Sequence, residues 1–383
     1  MDAIVGKPQL TQGQLHAVAS VPPHTGTDFP VFSGSVAASV YLDQARFELE
    51  RQRIFQSYPL PVTVSALLPE PKMMVTHDGY GVPLLLTRDG DGKVHAFMNV
   101  CQHRGMRLME DKEAICKSRI ACPYHAWVYG TDGRVVGVPR SETFADLDKS
   151  KHSLVELPCL EAGGIIWVGI KRGAAVDFSG ITKELGPDLD AIGMQNMHLY
   201  QRQSFEVAAN WKLIMDAFSE GYHVVRLHAN TVAPFFVDST NIIERIGQHI
   251  RKTSGRAGFE PGLTGKDYDA IKATIVFAYN VFPCAVIVTS PSYVSVMTLM
   301  PRAVNRTTIE YFMLTDTPGT DERSAKRNKK SWDLMIATFG EDFHAAELEH
   351  EGIASGAIDE LKLGGLERAI RDFHDIVDEC VDA

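Results

Sequence analysis

Positive charge is scarce in this 383-residue chain: 38 Lys and Arg stand against 48 Asp and Glu, for a net charge of -10. No basic arm or cationic amphipathic stretch offsets that balance, which excludes nucleic acid or an anionic membrane surface as the main partner. No apolar run approaches the roughly eighteen residues that a bilayer span requires, and Met1-Asp2-Ala3-Ile4-Val5 has no positively charged segment leading into an apolar one. The expectation is a soluble, cytoplasmic protein without a membrane association. Six cysteines are too few for a disulfide framework in a chain of this length. No Gly-x-Gly-x-x-Gly opens a helix after a strand, so no nicotinamide or flavin fingerprint is visible. Internal repeats and low-complexity segments are also missing.

Two short motifs stand out against this background. Cys101-Gln102-His103 and Cys122-Pro123-Tyr124-His125 lie eighteen residues apart and together offer two thiolates and two imidazoles. In a [2Fe-2S] cluster of Rieske type, one iron is held by two Cys and the other by two His. Each motif would then give one ligand to each iron. A structural zinc site uses the same ligand types, but zinc fingers place a Cys pair before a His pair, whereas each pair here mixes the two. Arg104-Gly105 after the first pair, and Ala126-Trp127 with the Asp132-Gly133 turn after the second, sharpen the iron–sulfur reading. Cys116, Cys159, Cys284 and Cys380 read as buried or indifferent thiols.

Residues 1 to about 35 are rich in Gly, Pro, Thr and Ser (Val21-Pro22-Pro23-His24-Thr25-Gly26) and read as an irregular arm. Tyr41, Ala45, Leu49, Ile54 and Phe55 have helical spacing, predicting a helix from Tyr41 to Tyr58. From Lys72 to Val100, short apolar runs alternate with Gly-rich turns, a hairpin series that continues through Trp127 to Tyr129 and Ile165 to Ile170. The cluster motifs thus fall in loops at the ends of a small antiparallel sheet. After about residue 172 the pattern lengthens. Phe205 to His228, Asp321 to Phe339 and Ile358 to Val381 read as helices; Ala273 to Val281, Ala285 to Ser290, Ser292 to Met300 and Thr307 to Asp316 read as strands. The length accommodates two domains: an arm over 1–44, a cluster domain over 45–171 and a second domain over 172–383.

That second domain carries a further candidate site. His223 and His228 stand five apart, preceded by Asp216 and Glu220. Mononuclear non-haem iron is held by two His and one carboxylate on one face, with positions left open. The spacing is too wide for an i, i+4 pair, so a helix break near Val225 is expected.

From about residue 40 onward the chain resembles the catalytic α subunit of the Rieske non-haem iron, or ring-hydroxylating, oxygenases. The family's acidic-x2-His-x4-His pattern falls on Glu220, His223 and His228, and Asn210-Trp211-Lys212 is similar to its start. The resemblance implies an α+β fold: a small antiparallel β Rieske [2Fe-2S] domain plus a helix-grip (START/Bet v1-like) catalytic domain with a central antiparallel sheet. It implies that Cys101, His103, Cys122 and His125 bind the cluster. It also implies that His223 and His228 hold a mononuclear Fe(II), and that Glu220 bridges His223 to a Rieske histidine, His125, of a neighbouring subunit. The third iron ligand is implied to be Asp342, in Gly340-Glu341-Asp342-Phe343, with Glu341, Glu347 and Glu349 as competitors. Glu220, Asp216 and Asn210 are the candidate catalytic residues. Two departures are visible: many members have Asp where this chain has Glu220, and Glu-Asn where it has Asp216-Ala217.

The implied reaction uses O2 and electrons from a separate ferredoxin or reductase to hydroxylate an aromatic or other hydrophobic small molecule. Oxidative demethylation of a methoxyarene or quaternary amine is the alternative, and a Rieske electron carrier without catalysis a further one. The implied assembly is a homotrimer, with a β subunit as an optional partner. Phe218, Phe235, Phe236, Phe277, Phe282, Val286, Val288 and Tyr293 are the apolar candidates for the pocket. A cage of aromatic rings around a cation reads the same as an arene pocket at this level.

Overall fold

The computed structural model describes residues 9–23, 29–236 and 240–382. The chain forms two compact units. One comprises the residues up to Ile54 together with those from Ser179 onward; the other is Phe55–Phe178. The boundaries fall at 54/55 and 178/179, against the expected 44/45 and 171/172.

Phe55–Phe178 is built from small antiparallel sheets. A five-stranded sheet runs in the order Glu156–Leu157, Val94–Met98, Leu84–Arg88, Met73–His77, Ile115–Cys116. Its hairpins are closed by turn chemistry: Asp89 Oδ1 accepts the N–H groups of Asp91 and Lys93, both at 2.9 Å, ahead of Gly92 at φ 87°. A three-stranded sheet joins Arg119–Ala121, Val128–Gly130 and Val135–Gly137, and another joins Cys159–Ala162, Ile165–Val168 and Leu60–Val64. Met74, Leu85, Phe97, Trp127 and Tyr129 pack with Cys101 and Cys122 into one buried cluster, so both cysteines are seated on this unit's core.

The other unit carries a seven-stranded antiparallel sheet, in the order His198–Val207, Arg306–Thr315, Tyr293–Ala303, Ala285–Thr289, Ile275–Val281, His249–Gly255, Ile242–Ile246. The 33-residue helix Glu322–Ala354, capped by Asp321 accepting from Ser324 N at 3.0 Å, packs on the His198–Val207 strand and on the helix Trp211–Ser219. The helix Arg368–Asp382 buries Ile370, Phe373, Val377 and Val381 at helical spacing. Beneath the Trp211–Ser219 helix sits a fully buried ion pair. Lys212 Nζ donates to both Glu50 oxygens at 2.7 and 2.8 Å, and Trp211 Nε1 donates to Glu50 Oε2 at 2.9 Å. Removing one partner of such a pair costs about 3–5 kcal/mol, because the other charge stays buried alone. This α+β architecture around a central antiparallel sheet is the one the sequence implies.

Local differences have local causes. Of the expected irregular arm, residues 1–8 and 24–28 lie outside the described residues; within it, Gln12–Ser20 is a helix, started by a reciprocal Thr11–Gln14 cap. The 41–58 helix is cut into Ser39–Leu42, Gln44–Glu50 and a wider π-type turn Arg51–Phe55, because Asp43 accepts from Ala45 and Arg46 N–H and restarts it. Phe205 belongs to a strand, and the helix break expected near Val225 falls instead at Glu220, whose backbone is extended (φ -125°, ψ -179°). The helix predicted to stop at Phe339 runs on to Ala354. A glycine at 340 costs about 1 kcal/mol there, outweighed by the buried stripe of Met335, Phe339, Phe343, Ala346 and Ile353. The last helix begins only at Arg368, after a strand Glu360–Leu363 that pairs with Gly34–Ala37.

Candidate metal centres

The two Cys-His loops share one backbone design. Cys101 N–H donates to Met106 O at 2.8 Å and its carbonyl accepts from Gly105 at 3.0 Å; Cys122 N–H donates to Trp127 O at 2.8 Å and its carbonyl accepts from Ala126 at 3.0 Å. Four residues after each Cys the chain takes a left-handed conformation, at Gly105 (φ 74°) and Ala126 (φ 56°). Both loops therefore turn back on themselves and project Cys and His to one side. The His103 and His125 rings come within 4.7 Å, and His103 stacks on Trp127 at 5.0 Å. The His103 Nδ1 is buried yet has no hydrogen-bond partner, a cost that a metal ligand would not incur. Burial and the neighbouring His125 and Arg104 charges hold its pKa below the ordinary value, so it is neutral, as a ligand must be. Cys101 Sγ lies 3.3 Å from Tyr129 OH, which also accepts from Gln102 N–H at 3.0 Å. Burial, then Cys101, keep that phenol protonated and able to donate. Two buried thiols, one orphaned imidazole nitrogen and a second imidazole beside it fit a [2Fe-2S] cluster.

The second group is His223, His228 and Asp342, one ligand atom of each lying within 4.8 Å of the others. Glu220 shapes it. Its carboxylate accepts from Tyr222 and His223 N–H and from His223 Nδ1, so it ends one helix, starts Val224–Leu227 and fixes the imidazole, leaving Nε2 facing Asp342 at 3.5 Å. His228 Nε2 approaches the same Asp342 Oδ1 at 3.0 Å, yet that oxygen is buried without an aligned hydrogen bond. The three atoms converge on a shared point rather than pairing, which fits a cation between them. Burial alone would lower the His228 pKa; Asp342 and Glu341 more than offset it and raise it. Burial alone would likewise raise Glu220, but the His223 hydrogen bond and the His223 and Lys252 charges hold it below the usual carboxylate range.

Other expected residues fall elsewhere. Asn210 is the cap of the Trp211–Ser219 helix: its side chain accepts from Lys212 N–H at 3.0 Å and donates to the carbonyls of Tyr41 and Val304 at 3.0 and 2.8 Å. The structure does not bring it to the cluster. Asp216 is buried, accepting from Tyr41 OH at 2.7 Å and lying 3.1 Å from His374 Nε2. Of the competitors for the third ligand, Glu341 lies behind His228, 2.7 Å from its Nδ1. Glu347 accepts from Ala208 N–H at 3.0 Å. Glu349 is pushed up to about 7 by burial and by Asp216 and Glu220 nearby.

A cavity of about 350 Å³ opens onto His223, His228 and Asp342. Phe218, Phe235, Phe236, Val288 and Tyr293 line it, whereas Phe277, Phe282 and Val286 do not. For Phe277 the cause is strand alternation: Val276 and Ala278 face the cavity, so the residue between them faces away. Lys252, Ser254 and Arg256 also line it, none of them expected. The pair Arg251-Lys252 in an alternating strand was the available signal, since one cation must go to each face. Arg251 goes to Asp188 and Glu244; Lys252 faces the cavity and donates to the Glu220 carbonyl.

The profile of the Rieske [2Fe-2S] domain matches residues 59–158, and that of the ring hydroxylating alpha subunit catalytic domain matches residues 194–383. The glycine betaine monooxygenase oxygenase subunit of Pseudomonas aeruginosa is 32% identical over 194 residues, which are 50% of this chain and 44% of that protein. The anthranilate 1,2-dioxygenase large subunit of Acinetobacter baylyi is 31% identical over 205 residues, 52% of this chain and 43% of that protein. The matches span about half the length of these curated relatives. In fold, the chain is similar to a quaternary ammonium Rieske monooxygenase whose structure bears on carnitine oxidation and inter-subunit electron transfer. The TM-score is 0.77 at 19% identity, covering 94% of this chain and 99% of that one. No helix among the described residues is long and apolar enough to cross a membrane. With both domains matched in the order the two centres occupy, the chain belongs to the Rieske non-haem iron oxygenases of ring-hydroxylating alpha type.

Proposed function

We propose that this chain is an oxygenase component that uses O2, and electrons delivered by a separate ferredoxin or reductase, to hydroxylate a small hydrophobic or aromatic molecule. The observation that carries this reading is the opening of the His223–His228–Asp342 group onto a cavity of about 350 Å³; an electron carrier would have no use for such a cavity. When bound, the [2Fe-2S] cluster supplies single electrons, and an iron on one face of two imidazoles and a carboxylate keeps positions for O2 and substrate. The chain's own work is to hold these groups still and water out. In this reading Cys101, His103, Cys122 and His125 hold the cluster, and His223, His228 and Asp342 hold the mononuclear ion. Glu220 fixes the His223 tautomer through Nδ1. Phe218, Val288 and the aromatic wall exclude water and place the substrate.

The relative named for glycine betaine favours a second reading, in which a methyl C–H rather than a ring edge is presented to the same centre.

The assembly belongs to the proposal as well. We infer a closed homo-oligomer, most simply a trimer, in which Glu220 also meets His125 of a neighbouring copy, so that one carboxylate spans both centres. The position of Glu220 directly behind His223 supports this, as does the relative described in terms of inter-subunit electron transfer. Two measurements test the reading. O2 uptake by reduced protein against arenes, methoxyarenes and methylated amines should show substrate-dependent consumption; none with any class, in protein loaded at both centres, would leave a carrier. Glu220→Gln should reduce normally at the cluster but reoxidise slowly with substrate and O2 present, whereas an unchanged rate would remove the bridge.

A further inference from the structure

Part of the cavity wall is hard to oxidise, and what lies behind it is not. Phe218 and Phe339 line the cavity, and a phenyl ring gives up an electron far less readily than a phenol or an indole. One ring further back stands Tyr311, fully buried on the Arg306–Thr315 strand, its ring centroid 4.9 Å from that of Phe339. Tyr311 stacks on Trp332 at 5.1 Å with the ring planes 15° apart, and Trp332 meets Tyr200 edge-on at 6.4 Å. Trp332 and Tyr200 are half-buried, and Tyr200 belongs to His198–Val207, an edge strand of the seven-stranded sheet. The rings thus form a file that leads from the cavity toward solvent. Tyr293, a phenol in the cavity lining, joins it from the side: Ser295, two residues along the same strand, has its hydroxyl 3.2 Å from that of Tyr311.

Packing alone does not call for these side chains. Phe would fill the buried Tyr311 position as well, without a hydroxyl that has to be bonded to Ser295.

Burial pushes the Tyr311 phenol well above its ordinary pKa and keeps it protonated. A phenol that cannot shed its proton holds its electrons tightly, so Tyr311 suits the role of a bridge across which an electron passes. Trp332 and Tyr200, which both reach water, are the groups able to lose an electron and a proton together.

We propose that this file is an outlet for oxidising equivalents: when O2 is reduced in the cavity and no substrate bond is broken, the missing electron is drawn from Trp332 across Tyr311 rather than from the cavity wall. This rests on the oxygenase reading of the same cavity and adds a protective function to it. The oxidised indole releases its Nε1 proton to water. Tyr200 then gives one electron and its hydroxyl proton to Trp332, and a thiol in solution gives one electron and one proton to Tyr200. Two thiols oxidised in this way couple as a disulfide, and the protein is left unchanged.

Where oxidation lands tests it. Protein carrying both iron centres is reduced and exposed to O2 without substrate, then mapped by peptide mass spectrometry, with freeze-quench EPR to detect radicals. The unmodified chain should show an indole or phenoxyl radical, and modification at Trp332 and Tyr200 that glutathione suppresses. Trp332→Phe keeps a ring in the stack but not one that is readily oxidised. In this variant the radical should vanish, Met335 in the cavity wall should turn to its sulfoxide several-fold faster, and glutathione should no longer protect. Tyr200→Phe should instead leave the vacancy on Trp332 and lengthen the life of its radical. Cluster spectrum and iron content check that each variant is folded.

The proposal is overturned if O2 is consumed and neither radical forms, or if folded Trp332→Phe keeps the original pattern of damage and of protection. Protein lacking the mononuclear ion should show neither the radical nor Met335 oxidation; equal oxidation there traces the damage to peroxide in solution and also overturns it. The oxygenase reading fails separately, when no class of substrate elicits O2 uptake. Hydrogen peroxide then supplies the oxidant, and the same comparison of the chain with Trp332→Phe decides the relay.

Discussion

His228 Nδ1 lies 2.7 Å from Glu341 Oε2, and the same oxygen accepts from Thr231 Oγ1 at 2.8 Å. Glu341 therefore sets which nitrogen of His228 carries the proton and which is offered to a metal. Loss of such an outer partner typically weakens metal binding about 10–100-fold. Glu341→Ala should do so in chelator competition, with occupancy recovered at higher iron and the cluster spectrum unaffected.

Asp342→Ala should empty the mononuclear site, lowering iron per chain by a single equivalent without loss of acid-labile sulfide. Glu347→Ala should leave the count unchanged, since its carboxylate is spent on Ala208 N–H. The opposite pattern in metal analysis would move the ligand along the helix.

Tyr129 OH lies 3.3 Å from Cys101 Sγ; with a cluster bound at Cys101 it would donate to that sulfur, and more strongly when the cluster holds the extra electron. Tyr129→Phe should lower the reduction potential. A bond of about 1 kcal/mol corresponds to about 40 mV in a one-electron couple, readable by spectroelectrochemical titration.

The matching left-handed positions of the two loops are filled unequally, by Gly105 and by Ala126. A side chain at such a φ costs roughly 1–2 kcal/mol, so Gly105→Ala should destabilise by about that amount; no neighbouring atom would meet the new Cβ. Ala126→Gly should gain up to about 1 kcal/mol, less the entropy that glycine adds to the unfolded chain. Denaturant unfolding of the cluster-loaded protein measures both.

His249 is buried and accepts from Phe282 N–H at 3.1 Å; burial pulls its pKa down to about 4. Folding thus holds it neutral while the unfolded chain protonates near pH 6.5. Its contribution is full above about 6.5 and is lost as pH falls to about 4, amounting to about 3 kcal/mol. His249→Gln should flatten unfolding stability across that interval.

The cluster loops were legible because each pair of ligands is adjacent in sequence and needs only a tight turn to converge. Asp342 came only by resemblance, although periodicity also marks it. Residues 335, 338, 339, 342, 343 and 346 form one buried stripe of the long helix, and a carboxylate within such a stripe must have a partner. Glu341 carries no such mark: whether an acid at the stripe's edge meets solvent or His228 is decided by where the 224–231 segment lands. Phe277 shows the limit on strands, where a shift of one residue reverses which side chains face the cavity. The polar, mixed pattern of His198–Val207 hid a strand, since its stability comes from its partner Arg306–Thr315 rather than from an apolar face of its own.

The unit holding the mononuclear site is made of two stretches of the sequence, one on either side of Phe55–Phe178. On a ribosome, the Rieske unit can finish folding while Glu50 still awaits Lys212, and Tyr41 cannot meet His374 until the last helix has emerged. Iron–sulfur assembly therefore has an uninterrupted stretch of polypeptide to act on early in synthesis. The His223–His228–Asp342 group cannot come together until the helix Glu322–Ala354 has emerged.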